Sequence, residues 1–153
     1  MHSSAAGTSA RIVLRSPSSS ARLRGLTVAR YASMAGSRFI SAPVRMIGTG
    51  WVGSAATHLF LSVPKERRFC LPQTRFLIHQ PSGGAGGQAT DIAIMAREII
   101  KARERIASVI ARETGQKLEK VLVDIERDNW MGPQEAIEYG LISRIIENRK
   151  DLG

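Results

Sequence analysis

The feature that most constrains the fold is an alternation of short apolar runs with amphipathic stretches, punctuated by glycine and proline, from about Arg38 to the C-terminus. Val44 to Ile47 is apolar at three of four positions and bounded by Pro43 and Gly48, which predicts a strand. Gly48, Gly50 and Gly53 predict a flexible turn into Ser54. Ala55, Ala56, Leu59, Phe60 and Val63 then suit a buried helix over 54–63, stopped by Pro64. Arg68–Leu71 and Arg75–Ile78 read as two more strands, followed by a glycine-rich loop from Pro81 to Gly87.

The clearest helix comes next. Thr90 or Asp91 can cap it. Ile92, Met95, Ile99, Ile106, Val109 and Ile110 recur at steps that put them on one side, with Glu98, Lys101, Arg103, Glu104 and Arg105 over much of the rest. It should end near Thr114, with Gly115 free to take a left-handed cap. A shorter helix is expected over about 117–125, a third from Pro133 to Gly140, and a last strand over 141–146. Strands alternating with helices predict an α/β layered domain.

A chain of 153 residues, 43% of them apolar and 23% charged, is the size and composition of one globular domain. The lone Cys70 cannot form an internal disulfide. The net charge of +9 argues for nucleic-acid binding only if it lies on a folded face. It does not: residues 1–65 hold eight basic and no acidic residues, while residues 66–153 hold 14 basic and 13 acidic. No nucleic-acid partner and no membrane partner are expected. Residues 1–37 are rich in Ser, Ala and Arg and are expected to be disordered, as a targeting segment or a mis-translated start. Residues 38–149 form the expected domain, and 150–153 a tail.

Three residue types required for acyl transfer stand at suggestive places. Ser54 precedes a predicted helix, whose unpaired N–H groups and positive end favour an oxyanion. His79 leaves an apolar strand, and an imidazole titrates near neutrality, as a general base must. Asp128 could orient that ring. Each also has a plainer explanation: Ser54 as a helix cap, His79 as a structural hydrogen-bonding residue, Asp128 as a surface charge. His58 is a rival base, four residues beyond Ser54 on the same helix. His2, His58, His79 and Cys70 show no metal-ligand spacing, so no metal is expected.

The stretch Arg68-Phe-Cys-Leu-Pro-Gln-Thr-Arg-Phe-Leu-Ile-His79-Gln-Pro81 resembles the histidine signature of ClpP, the proteolytic subunit of the ATP-dependent Clp protease. Gly86 to Ile92 and Ala96 to Ile99 resemble that family's handle helix, and Glu126-Arg127-Asp128 and Glu135 to Leu141 continue the similarity. It covers about residues 39–149. It implies a ClpP/crotonase-like α/β layered fold, with the N-terminal strands lacking or altered. It implies a serine endopeptidase with Ser54 as nucleophile, His79 as base, Asp128 as acid and the Ala55 backbone N–H as an oxyanion donor. Gln80, Pro81, Ser82, Gly83 and Gly84 would lie along an extended substrate.

The resemblance also implies assembly and partners. Subunits of that family form heptameric rings stacked in pairs, with Glu126 and Arg127 at the ring-to-ring contact; an ordinary surface ion pair is the plainer alternative. Phe39, Ile47, Phe69 and Leu71 fall where an AAA+ unfoldase of the Clp family docks, or are simply core. That partner consumes the ATP, so no cofactor is expected in this chain. The substrate would be unfolded polypeptide. Where the family has a Ser-Pro-Gly-Gly oxyanion loop, this chain has Arg22-Leu23-Arg24-Gly25-Leu26. A catalytically weak or silent ring subunit, or an incomplete ClpP-like product, is therefore the alternative, and an acyl-CoA enzyme of the crotonase type a more distant one. The body resembles bacterial members, so a cytoplasmic location is expected, or the mitochondrial matrix or plastid if 1–37 is a transit peptide.

Overall fold

The computed structural model describes residues 10–14, 44–84 and 86–152. The elements run β1 (Ala10–Leu14), β2 (Val44–Gly48), β3 (Trp51–Gly53), α1 (Ala55–Phe60), β4 (Arg68–Cys70), β5 (Arg75–Ile78), α2 (Ala89–Thr114), α3 (Leu118–Asp124), β6 (Asn129–Met131), α4 (Pro133–Tyr139) and β7 (Arg144–Ile145). Apart from β1, the segment 1–37 lies outside the described residues, as do Phe39 and the window 22–26.

Two sheets share the strands. One has the order β1-β2-β4-β7, with β1 antiparallel to β2 and the other neighbours parallel. The other has the order β3-β5-β6, parallel between β3 and β5 and antiparallel between β5 and β6. The chain lays β2 in the first sheet, β3 in the second, then α1. It repeats the move with β4, β5 and α2, an α/β layering in which each turn adds one strand to each sheet.

Burial follows the pleat. Val52, Phe76, Ile78 and Met131 point from the second sheet into the core, where Phe76 meets Phe60 of α1 edge to face at 5.6 Å. The opposite face carries Trp51 and Trp130, whose rings pack edge to face at 5.4 Å while both remain exposed.

Arg68 ties the helices to the first sheet. It is 1% exposed and donates to the carbonyls of Val63 (2.7 Å), Leu61 (3.2 Å) and Glu113 (2.9 Å) and to the Glu113 carboxylate (2.9 Å). Four acceptors inside the protein make this buried charge tolerable. Gly140 ends α4 at φ 94°, where a Cβ would collide with the Thr114 carbonyl oxygen closing α2, so only glycine fits.

Several sequence expectations need correction. The predicted glycine turn before Ser54 contains a strand, β3, because β5 supplies hydrogen-bond partners that no local signal announces. The helix expected over 54–63 stops at Phe60, since Leu61–Val63 turn back to meet Arg68. The strand expected over 141–146 shrinks to two residues, and β6 was not foreseen. Neither Thr90 nor Asp91 caps α2; they lie inside its first turn, where the Asp91 charge suits the helix dipole. The left-handed Gly115 cap is present, at φ 79°.

The α2 stripe is only half used. Ala107 and Ile110 are buried and Ile106 and Val109 pack against the core, whereas Ile92, Ile94, Met95 and Ile100 face outward, Ile100 at 57% exposure. At the other end of the chain, residues 149–152 form a 3-10 turn. There the Asp151 carboxylate accepts from the N–H groups of Glu147 and Asn148, and Arg45 donates to the Leu152 carbonyl.

Candidate active site

The second sheet brings three loop mouths to one edge. Ser54 directly follows Gly53, the last residue of β3. His79 directly follows Ile78, the last residue of β5, and Asp128 directly precedes Asn129, the first residue of β6. The register pairs Gly53 with Leu77 and Ile78 with Asn129. His79 and Asp128 each lie one residue beyond the last bridged pair, His79 half-buried and Asp128 exposed. Among the described residues no hydrogen bond joins the side chains of Ser54, His79 and Asp128.

Ser54 occupies the only non-glycine position with positive φ among the described residues, at φ 55° and ψ −122°. A serine held in this region costs of order 1–3 kcal/mol and persists only where its surroundings impose it. Here strand β3 runs straight into helix α1 with one residue between them, a sharp turn that leaves the serine exposed. The first helical hydrogen bonds come from the N–H groups of Thr57 and His58 to the Ser54 carbonyl. Those of Ala55 and Ala56 precede the helical ladder and lack intrahelical acceptors. Thr57, 1% exposed, shares its hydroxyl proton between the carbonyls of Val52 (3.2 Å) and Leu77 (2.9 Å), tying the turn to β5 two residues before His79.

His58 lies beside this turn, but its ring engages the main chain. Nδ1 stands 3.0 Å from the Ser54 carbonyl oxygen, an acceptor, so Nδ1 carries the proton. The opposite nitrogen, Nε2, is buried without a partner among the described residues. Nε2, left as the basic nitrogen of the ring, meets no donor among the described residues, the Ser54 hydroxyl included, so in this structure the ring braces the turn.

Gln80 ties the loop after β5 to the turn before Asp128. Its backbone N–H donates to the Ile125 carbonyl at 2.7 Å and its side-chain amide to the Glu126 carbonyl at 2.8 Å. Both of its donors therefore serve the turn before Asp128. Pro81 is half-buried, and Ser82, Gly83 and Gly84 are exposed and free of regular structure. Glu126 and Arg127 do not pair with each other: Glu126 takes Arg103 of α2 at 2.9 Å, and Arg127 is exposed. Phe69, inside β4, is buried and Leu71, just after it, is half-buried; Ile47 in β2 is half-buried as well. Among the described residues no three His, Cys, Asp or Glu side chains group to hold a metal ion, and no helix is long and apolar enough to cross a membrane.

Sequence reasoning passed over Thr57, the double use of Gln80 and the Arg103 contact. Thr57 had a usable signal, a polar residue on the apolar side of α1. The other two had none, since their partners are 46 and 23 residues away.

Comparisons with known proteins give the family and the fold. A sequence model of the family described as Clp protease matches residues 25–149. The chain is 54% identical over 115 residues to an ATP-dependent Clp protease proteolytic subunit 3 of Rhizobium etli, covering 75% of this chain and 59% of that protein. It is 56% identical over 117 residues to a proteolytic subunit 2 of Gluconobacter oxydans, covering 75% of this chain and 52% of the relative. The chain thus spans a little over half the length of these relatives. Among solved structures, a ClpP1 variant from Listeria monocytogenes superposes with a TM-score of 0.74 at 43% identity, covering 83% of this chain and 71% of the other.

Proposed function

Since the chain belongs to the Clp protease family, we propose that it is a serine endopeptidase subunit that cuts unfolded polypeptide. What supports this above all is the register of β3, β5 and β6, whose neighbouring ends carry Ser54, His79 and Asp128. The strained backbone at Ser54 supports it independently.

In this mechanism His79 takes the proton of the Ser54 hydroxyl as Oγ attacks the peptide carbonyl. The carbonyl oxygen becomes an oxyanion held by the Ala55 N–H, and a donor in that role is worth about 10²–10³ in rate. His79 returns the proton to the leaving amine, and an acyl-enzyme remains on Ser54. Water then attacks the ester, giving its proton to His79; the acid leaves and the hydroxyl is restored. Asp128 keeps the imidazole in the working tautomer and stabilises its cationic form. Ser82, Gly83 and Gly84 offer exposed main chain to an extended substrate, with Gln80 and Pro81 fixing where that strand begins.

Assembly belongs to the same proposal. The exposed Ile92, Ile94, Met95 and Ile100 give α2 an apolar face that a second subunit would bury, in stacked heptameric rings with Glu126 and Arg127 near the contact. A Clp-family AAA+ unfoldase would feed the chamber and consume the ATP, with no cofactor in this chain, in the cytoplasm. A second reading, a weak or silent ring subunit, is favoured by one observation: no hydrogen bond joins the three side chains among the described residues.

A fluorophosphonate probe separates the two. The protease reading expects labelling of Ser54 in the full chain, lost in His79→Ala and retained in His58→Ala, with rings in velocity sedimentation. Ring-sized protein that takes no label would refute the protease and establish the silent subunit.

A further inference from the structure

We propose that His58, on α1, is a positioning residue for the oxyanion donor, acting through the peptide unit that joins Ser54 to Ala55; this rests on the protease reading above. Three donors converge on the Ser54 carbonyl oxygen: the backbone N–H groups of Thr57 (3.1 Å) and His58 (3.4 Å), and the His58 ring nitrogen Nδ1 (3.0 Å). The ring makes the shortest of the three contacts. Its tautomer is fixed from both ends. With the proton on Nε2, the Nδ1 lone pair would face the carbonyl oxygen, and a buried N–H would have no acceptor among the described residues. With the proton on Nδ1, both conflicts vanish and the contact is a hydrogen bond.

The carbonyl that the ring holds shares a rigid plane with the Ala55 N–H. A peptide unit is planar, and in this trans unit the C=O and N–H bonds point in opposite directions. The oxygen is turned into α1, where Thr57 and His58 donate to it, so the Ala55 N–H is turned out of the helix. Any rotation about the Cα–C bond of Ser54 swings that oxygen and that hydrogen together. The setting is an uncommon one. Ser54 sits at φ 55° and ψ −122°, outside the regions a serine prefers, and stays there only while its surroundings impose it. A ring clamped on the oxygen is one such constraint. Donation to a carbonyl also polarises the amide and strengthens its N–H as a donor, by about 10–30% per bond. The clamp thereby aims and strengthens the Ala55 N–H without the imidazole touching substrate. An apolar side chain on the same half-buried position would do neither.

The experiment compares His58→Leu, His58→Asn and His58→Gln with the wild type in the full chain at fixed protomer concentration. It follows the rate of Ser54 acylation by a fluorophosphonate and the urea unfolding midpoint. In the wild type it also reads the protonation of each ring nitrogen by NMR of 15N-labelled histidine at pH 8. In His58→Asn an amide N–H falls where Nδ1–H stands, whereas in His58→Gln the amide reaches the place of Nε2. His58→Leu is expected to slow acylation about tenfold, a fraction of what a whole oxyanion donor is worth, while the final extent of labelling survives. His58→Asn should recover most of the rate and His58→Gln little of it. The urea midpoint of His58→Leu should be no lower than that of His58→Asn, since an apolar side chain suits a half-buried site; stability then cannot explain the order of rates. The His58 signals, identified by their absence in His58→Asn, should show Nδ1 protonated and Nε2 bare. Wild-type acylation in His58→Leu, equal rates in His58→Leu and His58→Asn, or a proton on Nε2 in place of Nδ1 would overturn the inference and leave the protease intact. A folded wild type that is never labelled at Ser54 would overturn both. Should His58→Leu fail to fold, His58→Asn and His58→Gln complete the test: equal rates in those two would overturn it.

Discussion

Replacing Arg68 with methionine keeps most of the aliphatic stem and deletes every donor. The carbonyls of Leu61 and Val63 belong to buried residues, and among the described residues no other donor is seen for them. An acceptor stranded in this way costs about 1–3 kcal/mol. The Glu113 side chain is 20% exposed and also meets Arg112, so water and that second cation absorb part of its loss. Against this stands the relief of no longer burying a guanidinium: burial pulls the Arg68 pKa below its ordinary value, with Glu113 opposing. The net expectation is a loss of about 3 kcal/mol, at the low end for a broken buried pair. With a typical urea slope of about 2 kcal/mol/M, the midpoint falls by about 1.5 M. Glu113→Gln spares all three carbonyl bonds and should cost about 1 kcal/mol or less. Urea titrations followed by circular dichroism at one protomer concentration measure both. A loss below about 1 kcal/mol in Arg68→Met, or equal losses in the two variants, would show that the carbonyls do not depend on Arg68.

Two further outcomes follow from packing and burial. Gly140→Ala drives a methyl group into the Thr114 carbonyl at a backbone φ of 94°, so stability should fall by about 3 kcal/mol; an unmoved urea midpoint would mean that the end of α2 yields freely. Burial pushes the Cys70 thiol up to about 11, with its bond to Thr74 opposing. The folded protein should therefore resist iodoacetamide at pH 8 and react promptly in urea. Because the folded value lies above the unfolded one, the associated stability is fully present below about pH 9 and is lost as pH rises toward 11. Rapid alkylation of the folded chain at pH 8 would contradict that burial.

The long amphipathic helix, its left-handed cap at Gly115 and the strands around residues 44–47, 68–71 and 75–78 were legible, because each rests on neighbours within a few residues. The elements that escaped, β3 and β6, are three residues long and exist because β5 lies between them. Strand β1 likewise forms against β2, within a segment whose composition signals no structure. The candidate site divides in the same way. Ser54, His79 and Asp128 were picked out by residue type and by family resemblance, but no local pattern joins them.

Taken alone, the sequence determined an α/β layered domain of the Clp protease kind and the chemical groups available to it, since periodicity, caps and motif residues are properties of adjacent positions. Only the tertiary structure decided that the ends of β3, β5 and β6 share one edge, that Ser54 is held at positive φ, and that Gln80 and Arg103 grip the turn before Asp128. Those features depend on hydrogen bonds between residues tens of positions apart, and such bonds form only when the sheets close around a common core.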